Sequence, residues 1–257
     1  MAAAYPELMS HAGEPSAARV AAAAARTVRA GTARLFSARS SRSPVPGADD
    51  QSCEGVADLR ARRARVSEIL LPASWARGLP DTQVDDASLA ALAEPRETIY
   101  DGANAYINVA GQWTGFFLGD PAGPRSPSDP LWPLDALFGA RDDAGTAVRD
   151  EVRGVAADRY RLTVDLAQAD AALPAGVSVP AGPYRALLRM PAEVWLDEAG
   201  LVRRAAVSAE PPAGARVTIW SVLELWDFGV AADISPPRPD EVVAPRDAAW
   251  DTPGSAA

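Results

Sequence analysis

The side chains that could carry acid–base, nucleophilic or metal chemistry are few in this sequence. The chain of 257 residues contains one His and one Cys, and all 25 of its basic residues are Arg. Without Lys there is no amine to form a Schiff base and no phosphate-binding P-loop lysine. A single His and a single Cys exclude zinc fingers, His/Cys metal clusters, a disulfide framework and most catalytic triads. Composition alone therefore removes much of enzyme chemistry.

The remaining reactive groups each have a structural interpretation. Asp101 and Asp197 fall in predicted turns, where Asp is favoured because its side chain hydrogen-bonds to the backbone. Cys53 precedes Glu54 at the start of a predicted strand, which favours a small semi-buried residue over an activated thiol. His11 lies in a predicted tail, and no spacing of carboxylates matches a calcium-binding loop. We therefore predict that the protein is not an enzyme and uses no cofactor or metal.

Charge argues against a nucleic-acid partner. The formal net charge is −9 and the sequence pI is near 4.7, so the chain as a whole repels a polyanion. The densest basic run is Arg60, Arg62, Arg63 and Arg65, with acidic residues on both sides and no interleaved aromatic residue to stack on bases. We predict that this run forms an exposed strand face. The alternative is a contact with an anionic partner.

No segment of the sequence has the pattern of a membrane span or an export signal. No stretch reaches the ~18–20 apolar residues that a membrane-spanning helix needs. Residues 1–19 have neither a basic n-region nor an apolar h-region, and no hydrophobic run precedes Cys53. As written, the chain would therefore remain in the cytoplasm.

Alternation of apolar and polar residues predicts a protein built mainly from a sheet. The Ala-rich residues 17–30 predict one helix that stops at Gly31, and about ten strands follow in consecutive hairpins. The clearest hairpin turns at Asp101-Gly102, a pair that accepts the positive φ of a type I′ turn. The pattern predicts an α+β fold with a curved antiparallel sheet and short helices on one face. We expect one domain over residues 15–240, with flexible tails at 1–14 and 241–257.

The last long strand, predicted over residues 216–228, carries apolar side chains on both faces. Leu223 and Leu225 occupy one face, while Trp220 and Trp226 occupy the other. A strand with one face in water does not show this pattern. We therefore expect a second layer, a ligand or a partner to cover the other face.

Four segments resemble, in order, parts of the actinobacterial lipoproteins of the LppX/LprG type. They contain Tyr-Asp-Gly at 100–102, Val-Asp-Leu at 164–166, Val-Trp-Leu-Asp at 194–197 and Asp-Phe-Gly at 227–229. The resemblance covers roughly residues 20–245 and implies a LolA-like fold, an incomplete barrel wrapped around helices with an apolar cavity for lipids or acylated amphiphiles. It also implies a place in the cell envelope. The chain departs from the family in lacking its signal peptide and lipid-attachment cysteine.

These observations predict a monomeric carrier that binds a lipid or another hydrophobic ligand and contacts a membrane surface during ligand exchange. The alternative is a module with a filled core that binds a protein partner and no ligand. Residues 131–138 form the most attractive gate over a cavity. Large apolar side chains in the strands and short helices are the candidates to line the cavity or, alternatively, to form the core: Tyr106, Phe116, Trp132, Leu137, Phe138, Tyr160, Trp195 and Trp220.

Overall fold

A computed structural model of the chain describes residues 16–42, 50–70, 94–102, 104–117, 129–141, 147–173, 189–209 and 218–243. The tail predicted at 1–14 lies outside these residues. Within them, one twelve-stranded sheet has the order β12-β6-β5-β4-β3-β2-β1-β11-β10-β9-β8-β7. All neighbours are antiparallel except β12, which runs parallel to β6. The predicted fold class, α+β with a curved antiparallel sheet, is confirmed.

The strands follow the hairpins that alternation predicted. Their bounds are β1 Thr32–Arg42, β2 Asp50–Asp58, β3 Arg63–Leu70, β4 Arg96–Asp101, β5 Asn104–Val109, β6 Gln112–Phe117, β7 Val148–Val152, β8 Val155–Asp165, β9 Arg189–Asp197, β10 Val202–Ala209, β11 Thr218–Trp226 and β12 Val242–Val243. Three of the turns place Gly102, Gly111 and Gly154 at positive φ, a conformation that costs Gly little.

Helix α1, Ser16–Arg29, is the helix predicted from the Ala-rich segment. Its Thr27 hydroxyl donates to the carbonyl of Ala23 at 2.8 Å and accepts from the amide of Val202 at 2.8 Å. Because Thr27 is fully buried, these two bonds fix α1 against the start of β10.

Two shorter helices complete the layer. Helix α2, Trp132–Ala136, continues as a 3₁₀ turn, Leu137–Gly139, and helix α3 spans Leu166–Ala172. The side chain of Asp165 caps α3 by accepting from the amides of Ala167 and Gln168. None of the helices among the described residues combines the length and apolar character that crossing a membrane requires.

The helices pack on one face of the sheet, which we term the inner face. Contacts join α1 and α2 to β10, α2 to β11, and α3 to β8. Alternate strand residues on this face, among them Leu35, Val207 and Leu223, are fully buried in one continuous hydrophobic cluster with the helices. The core therefore extends under most of the sheet, from β8 to β5 in sheet order, and includes Ala64, Tyr100 and Ala105 as well as residues of the helices.

The C-terminal boundary predicted at residue 240 is wrong. Val242 and Val243 pair with Trp113 and Thr114 of β6, so the domain extends at least to residue 243. Two residues are too short to show a period, which explains why the sequence pattern missed them. Their pairing covers part of an edge strand that would otherwise present open backbone groups.

Candidate functional site

Helix α2 is the centre of the core and not a gate over a cavity. Every residue from 131 to 137 is buried, and Trp132, Leu134 and Leu137 are at most 2% exposed. Asp135 in the middle of this helix is fully buried and pairs with the guanidinium of Arg62 from the β2–β3 turn. Moving this segment would expose apolar surface and break a buried ion pair, so it cannot act as the predicted lid.

The arginine run only partly forms the exposed strand face that the sequence predicted. Arg63 and Arg65 lie on β3, partly exposed, and pair across the strands with carboxylates of β4. Arg60 donates to the carbonyl of Arg29 at the end of α1, where a cation also suits the helix dipole. Arg62 is buried against Asp135, so for this residue the prediction is wrong. A buried guanidinium is stabilised when a carboxylate pairs with it, and sequence spacing does not show which carboxylate that is.

Five of the predicted cavity residues lie on the inner side of the sheet. Trp132, Leu137 and Tyr160 belong to the buried core, and Phe138 packs against it while half-buried. Phe116 pairs with Ala105 of the core across β5 and β6, and its side chain is 39% exposed. Of these five, Phe116 is thus the one large side chain that remains open to solvent.

Three of the predicted cavity residues lie on the opposite, outer face, where they cannot line a cavity between sheet and helices. Tyr106 neighbours Gly115 and Val242 there, as the close approach at Gly115 shows. Trp195 belongs to a separate small cluster with Val152 and Ala157, and Trp220 pairs with Ser208. Alternation shows that a strand has two faces, but it does not show which one the helices cover.

Arginine side chains stack on two tryptophans of the outer face, one of them on β11, the strand that is apolar on both faces. The guanidinium of Arg153 lies 3.7 Å from the centre of the Trp226 ring, and its Nε donates to Glu224 at 2.8 Å. Arg204 stacks on Trp195 at 4.9 Å in the same way. Guanidinium groups stacked on aromatic rings therefore cover Trp226 and Trp195, whereas Trp220 is 39% exposed and lines an outer-face cavity of about 330 Å³.

The inner face stays apolar beyond the packed helices, towards the edge formed by β5, β6 and β12. Ala105 is 2% exposed, Ile107 is half-buried, and Phe116 and Val243 are 39% and 40% exposed. Register places all four on the inner face, because Ala105 opposes Phe116, Ile107 opposes Thr114, and Thr114 opposes Val243. We term these four residues the apolar strip.

A polar cluster lies next to this strip on β1 to β4. Gln51 donates to Glu68 at 2.7 Å and lies 3.4 Å from the Tyr100 hydroxyl, which itself donates to Glu68 at 3.3 Å. Arg39 donates to the Gln51 carbonyl oxygen at 3.0 Å. Gln51, Glu68 and Tyr100 are each at most 7% exposed. We term Arg39, Gln51, Glu68 and Tyr100 the polar cluster.

A small cavity of about 10 Å³ adjoins the polar cluster. It is lined by residues of β1, β2, β11 and the segment before α2: Ser37, Arg39, Gln51, Cys53, Asp129, Pro130 and Ser221. This volume suits a single water-sized group. The sequence holds a signal for this site at Glu68, which lies between Val66 and Leu70 at alternate positions and so interrupts an apolar strand face.

Cys53 is expected to resist alkylation in the native protein. Burial, and then the negative charge of Glu68, raises the pKa of its thiol to about 12, and only the thiolate is nucleophilic. Because this pKa exceeds the roughly 8.5 of an unfolded thiol, the group stabilises the fold at lower pH, and that contribution is lost as the pH rises through the folded-state pKa. Thiol titration at about pH 8 with and without denaturant tests this. Rapid labelling of the folded protein would contradict it.

The described residues contain no group of three His, Cys, Asp or Glu side chains arranged to hold a metal ion. The predicted turn residues have structural partners: Asp101 pairs with Arg63, and Asp197 accepts from the amide of Leu201 and pairs with Arg203. The structure therefore directs attention to the inner face.

The sheet, the helices on its inner face and the apolar strip define an α+β protein with a large, curved antiparallel sheet. Among solved structures, LprF from Mycobacterium bovis matches 87% of this chain and 98% of its own, with 15% identity and a TM-score of 0.48. A LolA superfamily protein from Nitrosomonas europaea matches 89% of this chain and 96% of its own, with 8% identity and a TM-score of 0.29. No protein-family model and no curated protein matches the sequence. The structural similarities concern the fold alone.

Proposed function

We propose that this protein is a non-enzymatic carrier that binds a lipid or another hydrophobic ligand on the inner face, along the apolar strip. The observation that carries the proposal is the continuity of that face: it runs from the buried Tyr100 and Ala105 to the exposed Phe116 and Val243. Exposed large apolar side chains that continue a core mark a binding surface more often than isolated ones do.

The packing of the helices restricts where such a ligand lies. Helices α1, α2 and α3 pack on the inner face of β8, β10 and β11. Leu134 of α2 and Leu137 of the turn after it are fully buried there. The ligand therefore belongs on β4 to β6 and not among the helices. This placement combines the two functional classes that the sequence left open, since the hydrophobic core fills the inner face as far as Tyr100 and Ala105, and the apolar side chains beyond it, Phe116 and Val243, are exposed.

Replacing Phe116 by Asp is expected to weaken binding of a fluorescent acyl probe by about tenfold or more, because a carboxylate on the apolar strip must be desolvated by the ligand. The measurement is a fluorescence titration of the full chain with an uncharged acylglycerol probe and with a fluorescent fatty acid. Native mass spectrometry of the purified protein adds a search for lipid that co-purifies.

The matched control is Val148→Asp on β7, at the far end of the sheet from the strip, where Val148 is 52% exposed. This variant is expected to bind both probes as the unaltered protein does. If neither probe binds the unaltered protein, or if both variants lose binding equally, the inner-face carrier is excluded.

A further inference from the structure

The polar cluster interrupts the apolar inner face, and the proposed carrier function does not by itself use it. We propose that it receives the polar end of the bound amphiphile and selects a hydroxyl group over an anionic group. The inference rests on the proposed function, because it describes the other end of the same ligand.

Tyr100 joins the polar cluster to the apolar strip. It pairs with Ala105, which in turn pairs with Phe116, and its ring belongs to the hydrophobic core. Its hydroxyl points the other way, to Glu68 and Gln51. An acyl chain along the strip would therefore bring its polar end to the cluster.

Charge around the cluster disfavours a second anion. Glu68 and Asp129 are 7% and 3% exposed, Arg39 lines the cavity, and Arg96 opposes Glu68 in the register of β3 and β4, so Glu68 is the group that would repel an anion placed directly beside it. Burial, and after it the negative charge of Glu68, raises the pKa of Tyr100 well above its usual value. Interactions between charges are strong where water is excluded, so a ligand carboxylate or phosphate would be repelled here.

Hydrogen-bond chemistry favours a group that both donates and accepts. The Glu68 carboxylate only accepts, whereas Gln51 and Tyr100 both donate and accept. A ligand hydroxyl can donate to Glu68 and accept from either neighbour, while an ionised carboxylate cannot donate. In addition, Thr98, two residues before Tyr100 on the same face of β4, is 1% exposed and its hydroxyl has no hydrogen-bond partner among the described residues. A polar ligand group is the kind of partner that such a buried hydroxyl lacks.

The volume of the cavity next to the polar cluster also favours a hydroxyl group. The cavity next to the polar cluster has a volume of about 10 Å³, and the members of the cluster among its lining residues are Arg39 and Gln51. This is enough for one oxygen-sized group and too small for a phosphate or a sugar ring. The polar end that fits is therefore a hydroxyl, as in a long-chain alcohol or a partly acylated polyol.

The test compares three ligands of one chain length on the full chain: the long-chain alcohol, the fatty acid at about pH 8, where its carboxyl group is ionised, and the methyl ester, which cannot donate. We expect the alcohol to bind about tenfold more tightly than the fatty acid and about threefold more tightly than the ester. Glu68→Gln keeps the shape and the acceptor but removes the charge, and it should reduce the difference between alcohol and fatty acid to below about threefold.

The matched control for Glu68→Gln is Glu54→Gln, which removes the same charge from the exposed outer face of β2 and should leave the tenfold difference unchanged. Tyr100→Phe keeps the ring in the core but removes a donor that the alcohol and the ester can both accept from, so it should weaken both alike and keep the preference for the alcohol over the fatty acid, which preserves the test if Glu68→Gln folds poorly. Unfolding curves check both variants.

The outcomes separate the two proposals. If none of the three ligands binds, the carrier function fails and this inference fails with it. If all three bind equally and Glu68→Gln changes nothing, the carrier stands, the cavity holds a water only, and the inference is overturned. Tighter binding of the fatty acid than of the alcohol would also overturn it.

Discussion

Replacing Asp135 by Ala is expected to lower the free energy of unfolding by about 3–5 kcal/mol, since the Arg62 guanidinium would remain buried without its partner. Asp135 is fully buried and Arg62 is 8% exposed, so water cannot replace the lost contact. The pair also joins the β2–β3 turn to α2, which follows the Asp129 and Pro130 that line the small cavity. Ligand binding should therefore weaken in the same variant.

Urea unfolding of the variant measures this loss of stability, and two control variants show whether it comes from the buried ion pair. Arg149→Ala removes an exposed pair with Asp158 and Glu198 and should leave the urea midpoint of unfolding nearly unchanged. The double variant Arg62→Met, Asp135→Leu removes both charges and should recover most of the loss, because apolar replacements of similar size are often as stable as a buried ion pair. A cost below about 1 kcal/mol for Asp135→Ala would show that the pair is hydrated in solution.

Replacing Trp132 by Ala is expected to cost about 3–5 kcal/mol of stability, because it leaves a large cavity beneath α2. Trp132 is 2% exposed and belongs to the same hydrophobic cluster as Leu134 and Leu137. The experiment tests whether this tryptophan is core or cavity wall, the two roles between which the sequence could not choose. Thermal and urea unfolding in the absence of ligand measure the cost.

Trp220→Ala is the control of the same residue type. Trp220 lies on the outer face of β11 and is 39% exposed, so its replacement should cost less than about 1 kcal/mol. Equal costs for the two variants would contradict the division into inner core and outer face. A small cost for Trp132→Ala together with a loss of acyl-probe binding would move Trp132 from the core to the ligand site.

The carrier proposal depends on the contrast between the two halves of the inner face. The helices pack against β8, β10 and β11. Strands β4 to β6 lie beyond them in the sheet, with apolar side chains on the inner face and the polar cluster at the end nearest the helices. An amphiphile has the same division into an apolar and a polar part. The experiments with Phe116 and Glu68 examine these two parts separately.

Local pattern predicted most of the secondary structure. The helix at the N-terminal end of the described chain, the hairpin at Asp101-Gly102 and the hairpin around Gly154 lie where propensity and turn chemistry placed them. These features depend on residues close together in sequence, so a pattern can show them. The two residues of β12 are too few to form a pattern, and they were missed.

The candidate site could be predicted only in part. Phe116 was identified as a cavity residue and lies on the open part of the inner face, but Tyr106, Trp195 and Trp220 were identified by the same rule and lie outside. The rule uses size and hydrophobicity, which core, cavity and outer face share. The polar cluster was not predicted, because its members are up to 61 residues apart in sequence, from Arg39 to Tyr100.

The sequence by itself determined what this protein lacks and how its chain is divided: no lysine, one cysteine, one histidine, and a helix followed by hairpins. Composition and local conformation depend on residue identity and near neighbours, which the sequence states directly. Tertiary structure alone decided which face of each strand is inner, that Arg62 meets Asp135, and that Glu68 and Tyr100 meet Gln51. These depend on long-range pairing, where strand register and burial bring distant residues together and give each charge its partner.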